Sequence, residues 1–495
     1  MPNNMLCRLR SAARLMVAAL FSVGLFWSVA AARLQSQPAE TPPVPPPWGT
    51  YRGNPQRTGN TDNQPGPRQP VIRWVLKSQD HFVAAPVPLG DAIYVAGIGA
   101  FNRPAIAVLP LQGGPQPPPP RWSKSAPYLK LPSVSSPALA GDYLLFGDGM
   151  HQDAGGVFHC LEARTGLPLW QLPLPGDLIH LEGAPLVLGR RAYIGAGNAG
   201  VLAVQWDTAL LDGREHDLPT VRQRQQQRWK ELQERYEQDK KKDPDFALPP
   251  DDSQLLKFAP KKLWQKGENH WHVDAPLNCS GPLLLVPSAY LDKEKVGSRG
   301  LYALKADSGE LVWQAKLTYN PWGGATVAGD LILVPGSSIG YYYKELRQAR
   351  GELTALEAKT GQVRWRKEIA SGGLLACVAV ADSLAVTTAT DGKVRAFRLN
   401  DGERAWLYDA KAPFFAPPAI AAGTVYVADL NAVVHALDLK TGQPLWTLPL
   451  AQQIGNPGMV YGGITVHNGL LILATCNLDG PFLGKPTAVV CIGNR

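Results

Sequence analysis

The 495-residue chain is short of several things that enzymes and nucleic-acid binders rely on. Charged residues make up only 18% of it, and the formal net charge of +8 is spread along the chain. A nucleic-acid binder gathers its basic residues into a patch or stripe, so no nucleic-acid partner is expected. There is no Cys-x-x-Cys-His segment, which excludes covalent haem attachment of that kind. No Gly-rich phosphate loop, Ser-His-Asp order or zinc-hydrolase helix stands out, which removes the main motif-borne chemistries. The six cysteines include no adjacent pair.

Glycine (49) and proline (45) are plentiful, each near one residue in ten, as many short strands and turns require. Within that composition one phrase recurs. Cys160 to Trp170 reads CLEARTGLPLW, Ala303 to Trp313 ALKADSGELVW, and Ala355 to Trp365 ALEAKTGQVRW. Ala396 to Trp406 reads AFRLNDGERAW and Ala436 to Trp446 ALDLKTGQPLW. Each phrase is an apolar strand, a tight turn ending in Gly166, Gly309, Gly361, Gly402 or Gly442, and a strand carrying Trp. Glycine suits the turn because it tolerates positive φ, and the polar residue before it bonds locally to the backbone. Alternation such as Val433-Val434-His435-Ala436-Leu437 is a strand pattern, not a helix pattern. Before each copy comes a second phrase of two strands around a Gly-Asp-like turn, as in Pro137 to Phe146 and Pro418 to Val427. One unit is therefore four antiparallel strands, and such units arranged radially make a β-propeller.

Trp122 ends a further unit whose turn is swollen by Gly113 to Pro120, and Trp264 ends one interrupted by a long charged insertion. The last unit, from Gly463 to Ile492, lacks its Trp strand. Val71 to Leu76, carrying Trp74, precedes the first unit and has the right shape to complete it. The expected fold is all-β: an eight-bladed β-propeller of four-stranded antiparallel blades over residues 71–495, closed by the N-terminal strand, with one helical insertion. Closure removes the sheet edges that would otherwise invite aggregation.

The insertion, residues 207–262, is polar and highly charged. Val221, Gln225, Trp229, Leu232 and Tyr236 make one helical stripe, Pro219 suits the first turn, and Lys240 to Lys242 suit the last. Glu231 and Arg235 are spaced to pair. The reading is a solvated helix laid on the propeller flank, with a docking arm for a partner as the alternative.

At the N-terminus, Arg8, Arg10 and Arg14 precede an apolar run from Leu15 to Ala32, the pattern of a secretory signal. Residues 1–32 are expected to be cleaved after Ala32, with a retained membrane anchor as the alternative. No cysteine follows the run closely, so lipid modification is not expected. Residues 33–47 read as a stiff polyproline spacer, and residues 48–70 as a lead-in segment. Five cysteines follow the signal; buried thiols are expected, with a Cys476–Cys491 disulfide as the alternative.

The phrase Ala-x-Asp-x-x-Thr-Gly-x-x-x-Trp, intact at Ala436, Asp438, Thr441, Gly442 and Trp446, resembles the tryptophan-docking motif of the pyrroloquinoline-quinone (PQQ) repeat family. The resemblance covers residues 71 to 495. It implies that Trp74, Trp122, Trp170, Trp264, Trp313, Trp365, Trp406 and Trp446 pack between neighbouring blades. Trp48 to Gly59 resembles a lead-in found before such propellers in bacterial secreted proteins. The family divides into quinoprotein dehydrogenases and non-catalytic relatives, among them the propeller lipoprotein of the outer-membrane barrel-assembly machine. The dehydrogenases' adjacent Cys-Cys pair is absent here, so no cofactor is expected; PQQ with calcium belongs to the alternative reading.

A ligand site, if present, is expected at one channel mouth, on the loops leading into the innermost strands. Alignment of those loops gives His81, His180, Trp271 with His272, Asn320 and Phe414, with Glu182, Asp274, Trp322, Phe415, Asn456 and Tyr461 nearby. His270 and His272 would share a face of an extended strand and with Asp274 could bind a metal, but two histidines on one strand are short of the four ligands of a structural zinc site or the defined three of a catalytic one, and no metal is expected. The functional expectation is a periplasmic or secreted, non-catalytic binding or assembly scaffold with an envelope protein or peptide partner. The alternatives are a PQQ-dependent dehydrogenase of alcohols or sugars, and a polysaccharide or cell-wall binder, hinted at by Trp271, Trp322, Phe414 and Phe415.

Overall fold

The computed structural model describes residues 48–99, 103–112, 119–151, 153–455 and 457–495. The expected signal and spacer, residues 113–118 of the swollen turn, and Asn456 lie outside them. The described chain forms eight antiparallel sheets, each with a four-strand core. Their three-residue innermost strands, which number blades 1 to 8 in chain order as Val87–Leu89, Ala138–Ala140, Leu186–Leu188, Asn278–Ser280, Thr326–Ala328, Ala379–Ala381, Ala419–Ala421 and Thr465–His467, lie side by side about a central axis. The ring closes where Val87–Leu89 meets Thr465–His467. As expected, the N-terminal strand Pro70–Ser78 completes the last blade by pairing antiparallel with Thr487–Asn494, with Trp74 opposite Cys491.

The indoles wedge the blades apart at a fixed spacing. Trp122 donates its Nε1–H to the carbonyl of Ala163 (2.9 Å), Trp313 to Ala358 (3.1 Å), Trp365 to Leu399 (2.9 Å) and Trp406 to Leu439 (2.8 Å), each in the following blade. Trp74 and Trp170 reach Leu111 and Trp206 at 3.0 Å in the same way, and Trp446 reaches Pro67 of the lead-in. The turn glycine of each following blade lies flat on the preceding indole. A Cβ at Gly166, Gly309, Gly361, Gly402 or Gly442 would come within 2.4–2.9 Å of indole carbons. Trp264 breaks the pattern: its Nε1 has no partner among the described residues, because the hydroxyl of Tyr193 takes the Ala306 carbonyl at 2.8 Å.

The channel is filled by the chain itself. An innermost strand bonds to one neighbour and turns its other edge to the axis, leaving backbone groups that need partners. Residues 48–63 supply them. Backbone N–H groups of Leu139, Val187, Val327, Val380, Ile420 and Val466, the middle residues of six innermost strands, donate to carbonyls of Trp48, Gly49, Pro55, Gln56, Thr58 and Gly59. Of the two remaining blades, one has Pro88, which carries no N–H, and the other has Cys279, whose N–H donates to Asn278 Oδ1 at 2.8 Å. Arg52 and Arg57 are fully buried in this plug. Arg52 donates to the carbonyls of Ile464 (2.7 Å) and Pro418 (2.8 Å), and Arg57 to those of Ala325, Leu277, Pro276 and Tyr51.

The insertion folds as a hairpin strand, Arg214–Asp217, then a helix, α1 (Leu218–Lys242). Asp217 caps it, accepting from the Thr220 N–H at 2.9 Å. Leu218 and Val221 enter the core beside Trp170 and Phe258, and Gln225 exchanges two 3.0 Å hydrogen bonds with the backbone of Leu256. The helix therefore lies on the flank of blades 2 and 3. Glu231 pairs with Arg228 (3.6 Å) instead of Arg235, which turns to Asp239 (3.7 Å). All five described cysteines are free thiols. Cys476 and Cys491 cannot bridge: Cys491 lies opposite Ile472, four residues before Cys476, about 13 Å along a strand.

Candidate functional site

Loops at one channel mouth carry a group of histidines and carboxylates from three adjacent blades. His180 lies between the outer strand of blade 2 (Pro168–Leu174) and the inner strand of blade 3 (Leu186–Leu188). His272 and Asp274 lie on the equivalent loop into blade 4, ahead of Asn278–Ser280. His151 comes from the loop between Tyr143–Gly147 and Gly156–Glu162 in blade 2. His180 Nε2 and Asp274 Oδ1 are 2.8 Å apart and hydrogen-bonded. His272 Nε2 approaches Asp274 Oδ2 at the same distance, off the line of a hydrogen bond. The three imidazole centroids form a triangle with sides of 5.2, 5.3 and 5.7 Å. Each of the four residues offers a ligand atom, and these atoms lie within 4.8 Å of one another.

Close backbone approach holds the group. Gly197 exchanges backbone hydrogen bonds with Val273, and the His272 N–H donates to Ser288 Oγ at 3.0 Å. At Gly297 (φ +82°) a Cβ would sit 2.8 Å from His272 Cβ and 2.1 Å from the Ala289 carbonyl, so only glycine lets that strand pass. Glu182 Oε1 accepts from the His151 backbone N–H at 2.6 Å.

His180 and His272 are fully buried, and the Nδ1 of each has no partner among the described residues. A buried unsatisfied donor or acceptor costs about 1–3 kcal/mol. Burial alone would lower the His180 pKa, but the charge and hydrogen bond of Asp274 outweigh it and hold it up at about 9. Burial tends to raise Asp274; the charges of His272 and His180 and their contacts reverse this and hold it well below the usual carboxylate range. Burial, then the Asp274 charge, pushes Glu182 up to about 7. His151 is lowered by burial and by the two neighbouring imidazoles, against Asp274.

The other side of the mouth is apolar. Phe415, Leu375, Leu430, Met459 and Phe482 are buried together, with Trp322, Tyr341 and Tyr461 packed on them. Tyr341 stacks on Tyr461 at 5.2 Å and meets Phe415 edge-on, and its hydroxyl donates to the Leu375 carbonyl at 2.8 Å. Tyr341 belongs to a blade 5 loop that crosses to blade 8, where the Tyr343 N–H donates to Asp479 Oδ2 at 2.7 Å.

The residues singled out from sequence separate into three sets. His180, Glu182, His272 and Asp274 come together. Trp322, Phe415 and Tyr461 join the apolar side. The rest are elsewhere or have other work. Phe414 is 1% exposed in the core between blades 6 and 7, because it faces away from Phe415. Trp271 stacks on Tyr302 at 4.2 Å between blades 3 and 4. Asn320 ties its loop to the strand Leu283–Leu291, accepting from the Tyr290 N–H and donating to its carbonyl. His81 bonds Asn477 between blades 1 and 8. His270 is exposed and does not share a face with His272: residues 268–270 form a turn, with Asn269 at φ +59°, where an extended strand was expected. His151 was missed because only loops leading into innermost strands were aligned, and its loop lies between the second and third strands of its blade.

A family model described as outer membrane protein assembly factor BamB matches residues 71–224, 297–458 and 409–477, more than half of the chain. The chain belongs to this family of PQQ-repeat propellers. The BamB of Moranella endobia is 28% identical over 219 residues, covering 40% of this chain and 52% of that protein. The chain's matches span between 21% and 52% of the length of the curated relatives. Among solved structures, BamB from Moraxella catarrhalis superposes with a TM-score of 0.53 at 15% identity, covering 85% of this chain and 97% of that one. A europium-containing methanol dehydrogenase superposes with a TM-score of 0.57 at 14% identity, covering 91% and 98%. At these identities the structural likeness is one of fold. Tyr341, Phe415 and Tyr461 pack on one another across the apolar side of the mouth, under the loop that reaches Asp479.

Proposed function

We propose that this propeller is an extracytoplasmic scaffold that binds or assembles envelope proteins without chemistry of its own. The observation that supports this most is the filled centre. A propeller enzyme keeps its ligand at the channel mouth, and here the lead-in occupies the channel while the crossing loop and its tyrosines pack the apolar side of the mouth. The BamB relatives, named as factors of outer-membrane protein assembly, agree in kind.

The working surface is then the rim. The outermost strands of blades 4 to 7 end their sheets, and each exposes an apolar residue: Leu311, Val363, Leu407 and Leu445. An extended segment of a partner can add to such an edge, with backbone bonds giving affinity and side-chain pockets giving specificity. The cell-wall reading loses its aromatic platform, since Phe414 and Phe415 are each 1% exposed and Trp271 is stacked on Tyr302.

The test is photo-cross-linking in envelope fractions from Leu311 and Leu407, beside a position on α1. Partner adducts from the rim that vanish in Val363→Lys/Leu445→Lys support the scaffold. Saturable PQQ and calcium binding with dye reduction in the presence of an alcohol or sugar would replace it with the dehydrogenase.

A further inference from the structure

We propose that His151, His180, His272 and Asp274 form a four-ligand site for a divalent transition-metal ion of the zinc class, joining blades 2, 3 and 4. Three imidazoles and one carboxylate are the donor set that zinc and its neighbours prefer. The candidate ligand atoms lie within 4.8 Å of one another. Tetrahedral bonds of about 2.0–2.2 Å would set them roughly 3.3–3.6 Å apart, between the 2.8 Å contacts of His180 and His272 with Asp274 and the 4.8 Å limit, so shifts of about 1 Å suffice.

The second observation is the state of the nitrogens. His180 and His272 are both fully buried, yet among the described residues His180 Nδ1 and both ring nitrogens of His272 have no aligned hydrogen-bond partner. A polar group buried solely to pack would be satisfied. Asp274 is surrounded by imidazoles instead of by the lysine or arginine that a structural carboxylate normally finds, and the glycine at 297 brings a strand against His272 more closely than any other residue would permit.

Around the four lies the supporting layer that metal sites use to orient their ligands. Glu182 holds the His151 backbone at 2.6 Å, Ser288 holds that of His272 at 3.0 Å, and Glu294 stands 4.0 Å from His151 Nε2. The ligands come from three loops on three blades, so an ion would staple those blades at the mouth. This assignment does not depend on the scaffold reading; a structural ion suits a binding protein as well as an enzyme.

The experiment uses the untagged full chain, stripped with a chelator and titrated with zinc and with cobalt(II). Expected are one bound ion per chain at micromolar protein, the intense visible bands of four-coordinate cobalt(II), and a rise in melting temperature that a chelator reverses. His151 sits on a loop with its side chain one-third exposed, so His151→Gln should fold normally. It should weaken binding by at least the ~10–100-fold that loss of even a supporting residue brings. No cobalt spectrum with the folded wild-type chain, a preference for calcium or magnesium, or unchanged affinity in His151→Gln would each overturn the assignment.

Discussion

Replacing Gly361 by alanine separates the two jobs that a docking-turn glycine performs. Its φ is +72°, and an added Cβ would stand 2.4 Å from Cε3 and 2.7 Å from Cδ2 of Trp313, the indole of the preceding blade. Gly329, in the same blade, also has a positive φ (+63°), but nothing lies within 4 Å of its would-be Cβ. Both variants bear the left-handed backbone penalty of about 1–2 kcal/mol, reduced by up to ~1 kcal/mol through the stiffer unfolded chain. Gly361→Ala must in addition move the indole. Trp313 is 8% exposed and held by its bond to the Ala358 carbonyl, so the shift adds an overpacking cost of about 1–3 kcal/mol. Gly329→Ala should therefore lose about 1 kcal/mol and Gly361→Ala about 2–4 kcal/mol. Urea unfolding followed by indole fluorescence and by circular dichroism reads both losses. The cycle with Trp313→Ala, in which the clash disappears, isolates the contact. Equal losses in the two glycine variants, or no coupling in the cycle, would refute the claim that the turn is shaped by the indole.

Other consequences can be checked together. Arg57→Met removes the guanidinium donors to the Leu277, Pro276 and Ala325 carbonyls, the last of which keeps Asn278 Nδ2 at 3.2 Å; a loss of at least about 3 kcal/mol is expected in urea unfolding, with no rescue by Arg57→Lys, whose single ammonium cannot span these carbonyls. Gln225→Ala should cost about 2 kcal/mol by leaving the Leu256 N–H and carbonyl unpaired, and limited proteolysis should then cut α1 free of the blade flank. Burial raises the thiols of Cys476 and Cys491 to about 12, so neither should react with a thiol reagent at neutral pH until the chain unfolds. Rapid labelling of the folded chain at either position would contradict their burial. Tyr193→Phe should cost about 1 kcal/mol, read in the same unfolding assay, because it alone bonds the Ala306 carbonyl that other blades offer to an indole.

The local periodicity of this sequence determined the ring. Trp and turn Gly at fixed offsets, repeated in five phrases, specify a strand, a turn and a strand whatever their surroundings, and the missing eighth outer strand could only be the one carrying Trp74. The stripe from Val221 to Tyr236 likewise announced its helix, because helix and strand faces are set by neighbours a few residues apart. Tertiary structure decided everything that depends on residues far apart in the chain. The lead-in was legible as a motif, but that its carbonyls meet six blades, and that Arg52 and Arg57 are buried there, follows from an axis that no local pattern encodes. His151 joins His180 and His272 only because three loops from three blades converge, whereas His270, two positions from His272, is carried off by one turn. A repeat constrains what each blade must share; the site is made from what the blades do not share, and only closure of the circle brings those residues within reach of one another.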